Sequence, residues 1–461
     1  MNSDQLLATF RDPAGSLRLE GDFAIRTLQA DAREAALEFV SSAFAMRMQL
    51  RGDMVGTTVE DNGAAGTRLL HPRVAVPSYP WEWTPSQWQA AAELTLRLCS
   101  EAVDDGWILK DATPLNILFV GARPVLVDVL SFERRKAGNP IWLAYGQYVR
   151  TFLLPLLMNK MQGWPLSLSL FRRDGLEPSE LVGAMSLRQR LSADAFWPIT
   201  LPAWLERRKG ADTPKPARQM DADAATHVLK GTLVSLGKRT KRAMSKLTRS
   251  EWSEYQTTLT HYTAEESAAK QVWVQQALEE LHPNRVLDVG ANTGEYSAMA
   301  ARAGAEVVAL ERDAAAADRI FRMSCDEGLN ILTLHADLAR PTPAAGWENA
   351  EQSALLTRLE GQCELVMLLA VIHHLILMEQ IPLEKILGLC ARLTKKHLIV
   401  EWVPVSDPMF QSLMRGRDEL YGGLSEDDLL TAAAAYFHPL RQEKLSNGRT
   451  LFLMELLPRK S

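Results

Sequence analysis

The sequence predicts a two-part α/β protein: a carboxy-terminal doubly wound parallel sheet closed by an antiparallel edge hairpin, and an amino-terminal α+β half. Three observations carry this reading. From residue 285 onward strand-like and helical runs alternate, the order that gives a parallel sheet with helices on both faces. After the first of those strands, Asp288-Val-Gly290-Ala-Asn292-Thr-Gly294 makes a glycine-bearing turn that opens directly into a helix. Residues 206–250 hold twelve Lys/Arg and four Asp/Glu, with Pro214 and Pro216 inside KGADTPKPARQ, which marks a polar linker. The length of 461 residues also exceeds the ~150 of a common domain. The expected divisions are 1–205, a basic linker over 206–250, and 251–461.

In the first half, Thr84-Pro85 caps a helix from Ser86 to about Val103, and Gly106 ends it. ILFV and VLVDV read as two short strands joined at Gly121-Ala-Arg-Pro124. Asp111-x4-Asn116, with Asp128 twelve residues further on, resembles the catalytic loop and metal-binding aspartate of protein kinases. That resemblance implies that Asp111 orients an attacking hydroxyl while Asn116 and Asp128 hold Mg²⁺ on the phosphates of ATP. Other parts depart from the pattern. No glycine-rich loop or V-A-I-K-like lysine precedes the motif, Asp111 lacks the usual preceding His, and Asp128 is followed by Val-Leu. Arg26 in DFAIRTL stands where a lysine is expected. The expectation is a degenerate kinase-like unit that binds or positions a partner; a working ATP- and Mg-dependent kinase and a chance spacing are the alternatives.

The second part of the linker, THVLKGTLVSLGKRTKRAMSKL, mixes aliphatic and basic residues. It suits either a solvated connector or an amphipathic helix that meets an acidic domain face, anionic lipid or RNA.

The second half offers strands at 285–289, 306–310, 331–335, 364–369 and 397–402, then two extended segments around Ser446-Asn447-Gly448, the signal of a hairpin. Gly290 and Gly294 allow a sharp turn and a close approach to a ligand at the carboxyl end of a strand. Their G-x-x-x-G spacing matches a dinucleotide cradle poorly. Asp288, two residues ahead, instead suits a ligand with a positive amino group. Glu311 ends the second strand, where a carboxylate accepts from ribose hydroxyls, and Asp337 follows the third, where one can accept from an adenine amine. Together the three outline an adenosine with an amino-acid tail.

Composition excludes several classes. A net charge of −5 is too near balance for a nucleic-acid binder that relies on bulk positive field. Cys99, Cys325, Cys363 and Cys390 lie far apart, which argues against a disulfide framework or a thiolate metal site and fits a reducing compartment. No signal peptide is visible in MNSDQLLATFRDPAGS, so the expected location is cytoplasmic. The most apolar stretch, Val366 to Met378, is shorter than the ~20 residues of a membrane span and reads as a buried strand running into a loop.

The ordered set LDVGANTG, ALERD, HADL and LLAVIHHL resembles the class I S-adenosylmethionine-dependent methyltransferases, over residues 262–457. With HPRVAVPSYPWEW, the Asp111 to Asp128 stretch, WLAYGQY and WSEY, nearly the whole chain is similar to a two-domain bacterial methyltransferase family related to a host-specific nodulation protein. The resemblance implies S-adenosylmethionine as cofactor, bound by Asp288, Gly290, Asn292, Gly294, Glu311 and Asp337, and in-line methyl transfer without a metal. It places His373 and His374 where the acceptor enters, either as a base with an ordinary pKa of ~6.5 or as packing. It also makes the helix before the sheet a lid on which Tyr262 or Lys270 meets the cofactor carboxylate, leaves Glu401 open, and points to a small-molecule or saccharide acceptor. A bifunctional kinase-methyltransferase and a non-catalytic scaffold are the competing functions.

Overall fold

The computed structural model describes residues 5–6, 12–61, 66–208, 220–244 and 263–458. The chain divides into two compact units, Met1–Lys246 with Ala345–Gln352, and Leu247–Ala344 with Ser353–Ser461.

The first unit is built on an antiparallel sheet of β1 (Gln5–Leu6), β2 (Gly15–Glu20), β3 (Phe23–Leu28), β4 (Thr58–Asp61) and β5 (Thr67–Pro72), in the order β1-β2-β3-β5-β4. The helix expected after Thr84 runs Pro85–Asp104. The Thr84 hydroxyl accepts from the Gln87 N–H while Gln87 Oε1 accepts from the Thr84 N–H at 2.9 Å, a reciprocal cap that satisfies two otherwise orphaned donors. Two short ribbons follow: β6 (Trp107–Leu109) with β9 (Phe132–Arg134), and β7 (Ile117–Val120) with β8 (Arg123–Leu126).

The expected linker is corrected in two respects. Its start at 206 falls inside a helix, Leu201–Arg208, and its later part forms a helix of 22 residues, Ala222–Ala243. Ala225, Leu229, Leu233, Leu236, Thr240 and Ala243 lie three to four residues apart and are buried in the first unit. Thr240 Oγ1 meets Tyr148 Oη at 2.8 Å, and Lys230 pairs with Asp104. A stripe of that period buries itself whatever the charge of the other face, so the basic count concealed a core helix.

The second unit carries a seven-stranded sheet of β10 (Arg285–Val289), β11 (Glu306–Glu311), β12 (Ile331–His335), β13 (Cys363–Leu368), β14 (Thr394–Trp402), β15 (Phe437–Lys444) and β16 (Thr450–Leu456). The order is β12-β11-β10-β13-β14-β16-β15. The first five are parallel, and β16 enters antiparallel between β14 and β15. Helices cover the parallel strands on both faces, so those strands read as nearly unbroken apolar runs; in β13, Leu365, Val366, Met367 and Leu368 are all buried. Register aligns the strand ends: Val289 pairs with Leu310 and with Leu368, and Leu310 with Leu334. The residues that follow β10, β11, β12 and β13 therefore emerge along one edge, where the strand order reverses and open α/β sheets form their crevice.

The apolar stretch from Val366 is a strand, but no simple loop follows it. Ala370 takes a left-handed φ of +57°, and Ile372–Leu377 then form a short helix that carries both histidines. Among the described residues no helix is long and apolar enough to cross a membrane.

Candidate functional site

A cavity of about 670 Å³ opens at that edge of the second unit, within the range of roughly 300–1,000 Å³ that holds small ligands. Asp288, Gly290, Asn292, Glu311, Asp337, His373 and His374 all line it. Gly294 does not.

The turn after β10 is shaped by its two glycines. Gly290 has φ +68°, and a Cβ there would stand 2.6 Å from Val371 Cγ2. Gly294, at φ +86°, begins the helix Glu295–Arg302, and a Cβ would press at 3.0 Å on Ile320 and Met323. Gly294 is thus a packing position between two helices and does not line the cavity. The sequence could not separate the two roles, because both require a small residue at positive φ.

Each acidic residue is held differently. Asp288 is buried, and its Oδ2 accepts from Ser297 Oγ at 2.6 Å. Burial pushes its carboxyl up to about 6, opposed by the Ser297 bond and by Lys270. Glu311 accepts from the Asn292 N–H at 2.7 Å on Oε2 and from the Asp313 N–H at 2.7 Å on Oε1. Burial raises its pKa, and those backbone donors work against the rise. Asn292 therefore acts here through its backbone, at φ +51°. Asp337 is less buried; its Oδ1 accepts from the Ala339 N–H at 2.9 Å and its Oδ2 pairs with Arg340 at 3.0 Å.

The histidines sit side by side with ring centroids 4.2 Å apart. The ordinary pKa expected of them is corrected for His374: burial first, then the Arg312 and Arg449 guanidinium groups, push it down to about 4. A neutral imidazole with so low a pKa is a weak proton acceptor.

Sequence reasoning missed how the far wall is built. Lys270 and Arg449 line the cavity, while Glu401 and Asp407 lie behind them, and all four are buried. Glu401 bridges the cations, at 2.6 Å to Lys270 Nζ and 3.2 Å to Arg449 Nη1, and Asp407 Oδ2 holds Arg449 Nε at 2.8 Å. Lys270 also lies 4.9 Å from the Tyr296 ring centroid. Lys270 and Glu401 were visible separately in the sequence, 131 residues apart. Arg449 left one trace, its place directly after the Ser446-Asn447-Gly448 turn. Tyr262, the other lid residue expected, lies outside the described residues.

In the first unit Asn116 and Asp128 meet through Ser131, which accepts from Asn116 Nδ2 at 2.9 Å and donates to Asp128 Oδ2 at 2.6 Å. No hydrogen bond or ion pair engages the Asp111 side chain among the described residues. Arg26 pairs with Asp128 at 3.2 Å and also with Asp12. The Arg26 guanidinium thus stands against the acid that the kinase-like reading gives to the metal, and Ser131 bonds its other oxygen. Among the described residues no group of three or more His, Cys, Asp or Glu side chains is arranged for a metal.

No family model matches the chain. It is 28% identical to the nodulation protein NoeA of Rhizobium meliloti (strain 1021) over 476 residues, covering 98% of this chain and 96% of that protein. Among solved structures it is similar to the N-methyltransferase NodS from Bradyrhizobium japonicum WM9, at 10% identity, TM-score 0.32, and coverage of 42% of this chain and 97% of that one. It is also similar to the bifunctional kinase-methyltransferase WbdD, at 15% identity, TM-score 0.30, and coverage of 41% and 39%. Structural likenesses at such TM-scores are too loose to assign an activity.

Proposed function

We propose that the second unit binds S-adenosylmethionine and transfers its methyl group to a small-molecule or saccharide acceptor. One observation carries the reading: Asp288, Glu311 and Asp337, separated in sequence, converge with Gly290 on a single cavity at the carboxyl ends of β10, β11 and β12. The donor set suits the ligand. Glu311, fixed by two backbone N–H groups, presents its remaining lone pairs to ribose hydroxyls; Asp288 faces an amino group, and Asp337 an exocyclic amine. Gly290 lets the strand end and the Val371 side chain pack together beside the cavity, where a Cβ would collide.

When bound, the cofactor supplies an already activated methyl group, so the protein's share is orientation and exclusion of water. The turn at Gly290 and the segment Leu369, Ala370 and Val371 line the cavity. Calorimetry with S-adenosylhomocysteine tests the assignment. Wild type binds, and Glu311→Ala binds at least about tenfold more weakly, since hydrogen bonds to a charged group contribute about 1.5–3 kcal/mol each. No binding by wild type, or undiminished binding by the variant, removes the basis of the assignment.

For the first unit, the Arg26–Asp128 pair favours recognition or positioning of the acceptor over phosphoryl transfer.

A further inference from the structure

The three acids that outline the adenosyl ligand lie at the carboxyl ends of β10, β11 and β12, one half of the sheet. Two cations face the same cavity and meet on Glu401 of β14: Lys270, 4% exposed, from the helix Ala264–Leu281, and Arg449, 2% exposed, directly before β16. Their counter-ions Glu401 and Asp407 do not line the cavity, so of this network the groups that reach a ligand are the two cations. Taking four charges out of water is costly, and well-packed apolar residues often stabilise a fold as well or better. Such a network on a cavity wall is therefore better explained by a ligand than by stability.

Resting on the methyl-transfer reading above, we propose that Lys270 and Arg449 form the acceptor subsite, and that the acceptor presents there a carboxylate whose oxygen is the atom methylated. The chemistry of the wall selects this class. An amine acceptor would end as a methylated ammonium beside two buried cations. A hydroxyl acceptor has a proton to lose and arrives without the negative charge that complements Lys270 and Arg449. A carboxylate needs no base and brings the opposite charge. Its oxygen forms the new O–CH₃ bond as the S–CH₃ bond breaks, and the electron pair of the broken bond stays on sulfur. The negative carboxylate and positive sulfonium become a neutral methyl ester and a neutral thioether, and no proton moves.

The full chain incubated with methyl-labelled S-adenosylmethionine and host extract supplies the test. The label is expected to come off as methanol in mild alkali, because methyl esters hydrolyse there while methyl ethers and N-methyl groups do not. Alkali-stable label overturns the subsite and leaves methyl transfer standing; absence of any label overturns both. A second readout needs no turnover. Arg449→Gln should bind S-adenosylhomocysteine within about twofold of wild type yet label at least about tenfold more slowly, as loss of a buried charge partner implies. Arg449→Lys, which keeps a cation against Asp407 and Glu401, should recover part of that rate, and it carries the comparison if Arg449→Gln melts early. An equally large loss of S-adenosylhomocysteine affinity in a folded variant overturns the proposal, since the arginine would then be serving the cofactor's own carboxylate.

Discussion

Replacing Asp288 by Asn should stabilise the second unit at neutral pH while it abolishes cofactor binding. Asp288 is 3% exposed and accepts from the Ser297 hydroxyl, a bond that an Asn oxygen can also accept, so the exchange keeps the shape and that bond while it removes the charge and turns the second oxygen into an NH₂ donor. Burial lifts this carboxyl from 3.8 to about 6 in the folded chain. Folding therefore favours the protonated form. Below the unfolded value the wild type carries no penalty; between 3.8 and about 6 the unfolded chain releases a proton that the folded one retains, and stability falls as pH rises. At about 1.4 kcal/mol per pH unit the loss levels off near 3 kcal/mol above the folded value. Thermal unfolding across pH 4 to 8 reads the effect. Asp288→Asn and wild type should melt together at the acid end, diverge through the window, and stay separated by several degrees above it, while calorimetry shows the variant no longer binding S-adenosylhomocysteine. Parallel melting curves, or a wild type that gains on the variant with rising pH, would refute the burial argument.

Gly290→Ala should destabilise by about 1–3 kcal/mol and block cofactor binding, because the residue must hold a left-handed backbone and its Cβ meets Val371; adding Val371→Ala should restore part of the melting temperature. Lys270→Met should cost about 3–5 kcal/mol in denaturant unfolding by leaving Glu401 short of a buried partner, whereas removal of the exposed Arg302–Glu327 pair should cost under about 1 kcal/mol. Mg²⁺ with ATP should leave the melting of wild type unchanged; a clear rise would show that the Arg26–Asp128 pair opens for nucleotide.

The parallel strands of the second unit were legible because they are short apolar runs between helical segments, and the turn after β10 because glycine and acid stand at fixed offsets from a strand end. The helix after Thr84 was legible for a similar reason: its cap residues are local. The histidine helix was not. Ile372–Leu377 continues the apolar character of β13, and only the left-handed Ala370 separates strand from helix. The helix Ala222–Ala243 was obscured by its own charge, which hid a buried stripe inside what the composition marked as a connector.

The sequence by itself determined the order of strands and helices, the glycine turn and the acids at successive strand ends, since each depends on residues within a few positions of one another. Only the tertiary structure decided that Gly294 packs against a neighbouring helix, that Arg26 reaches Asp128, and that Lys270, Glu401, Asp407 and Arg449 close one wall of the cavity. Those contacts join segments whose proximity arises from sheet register and strand insertion, with β16 slotting in beside β14. Local pattern carries no information about which distant strand end a side chain will meet, and burial, which sets the charge state of Asp288 and His374, exists only once the layers have packed.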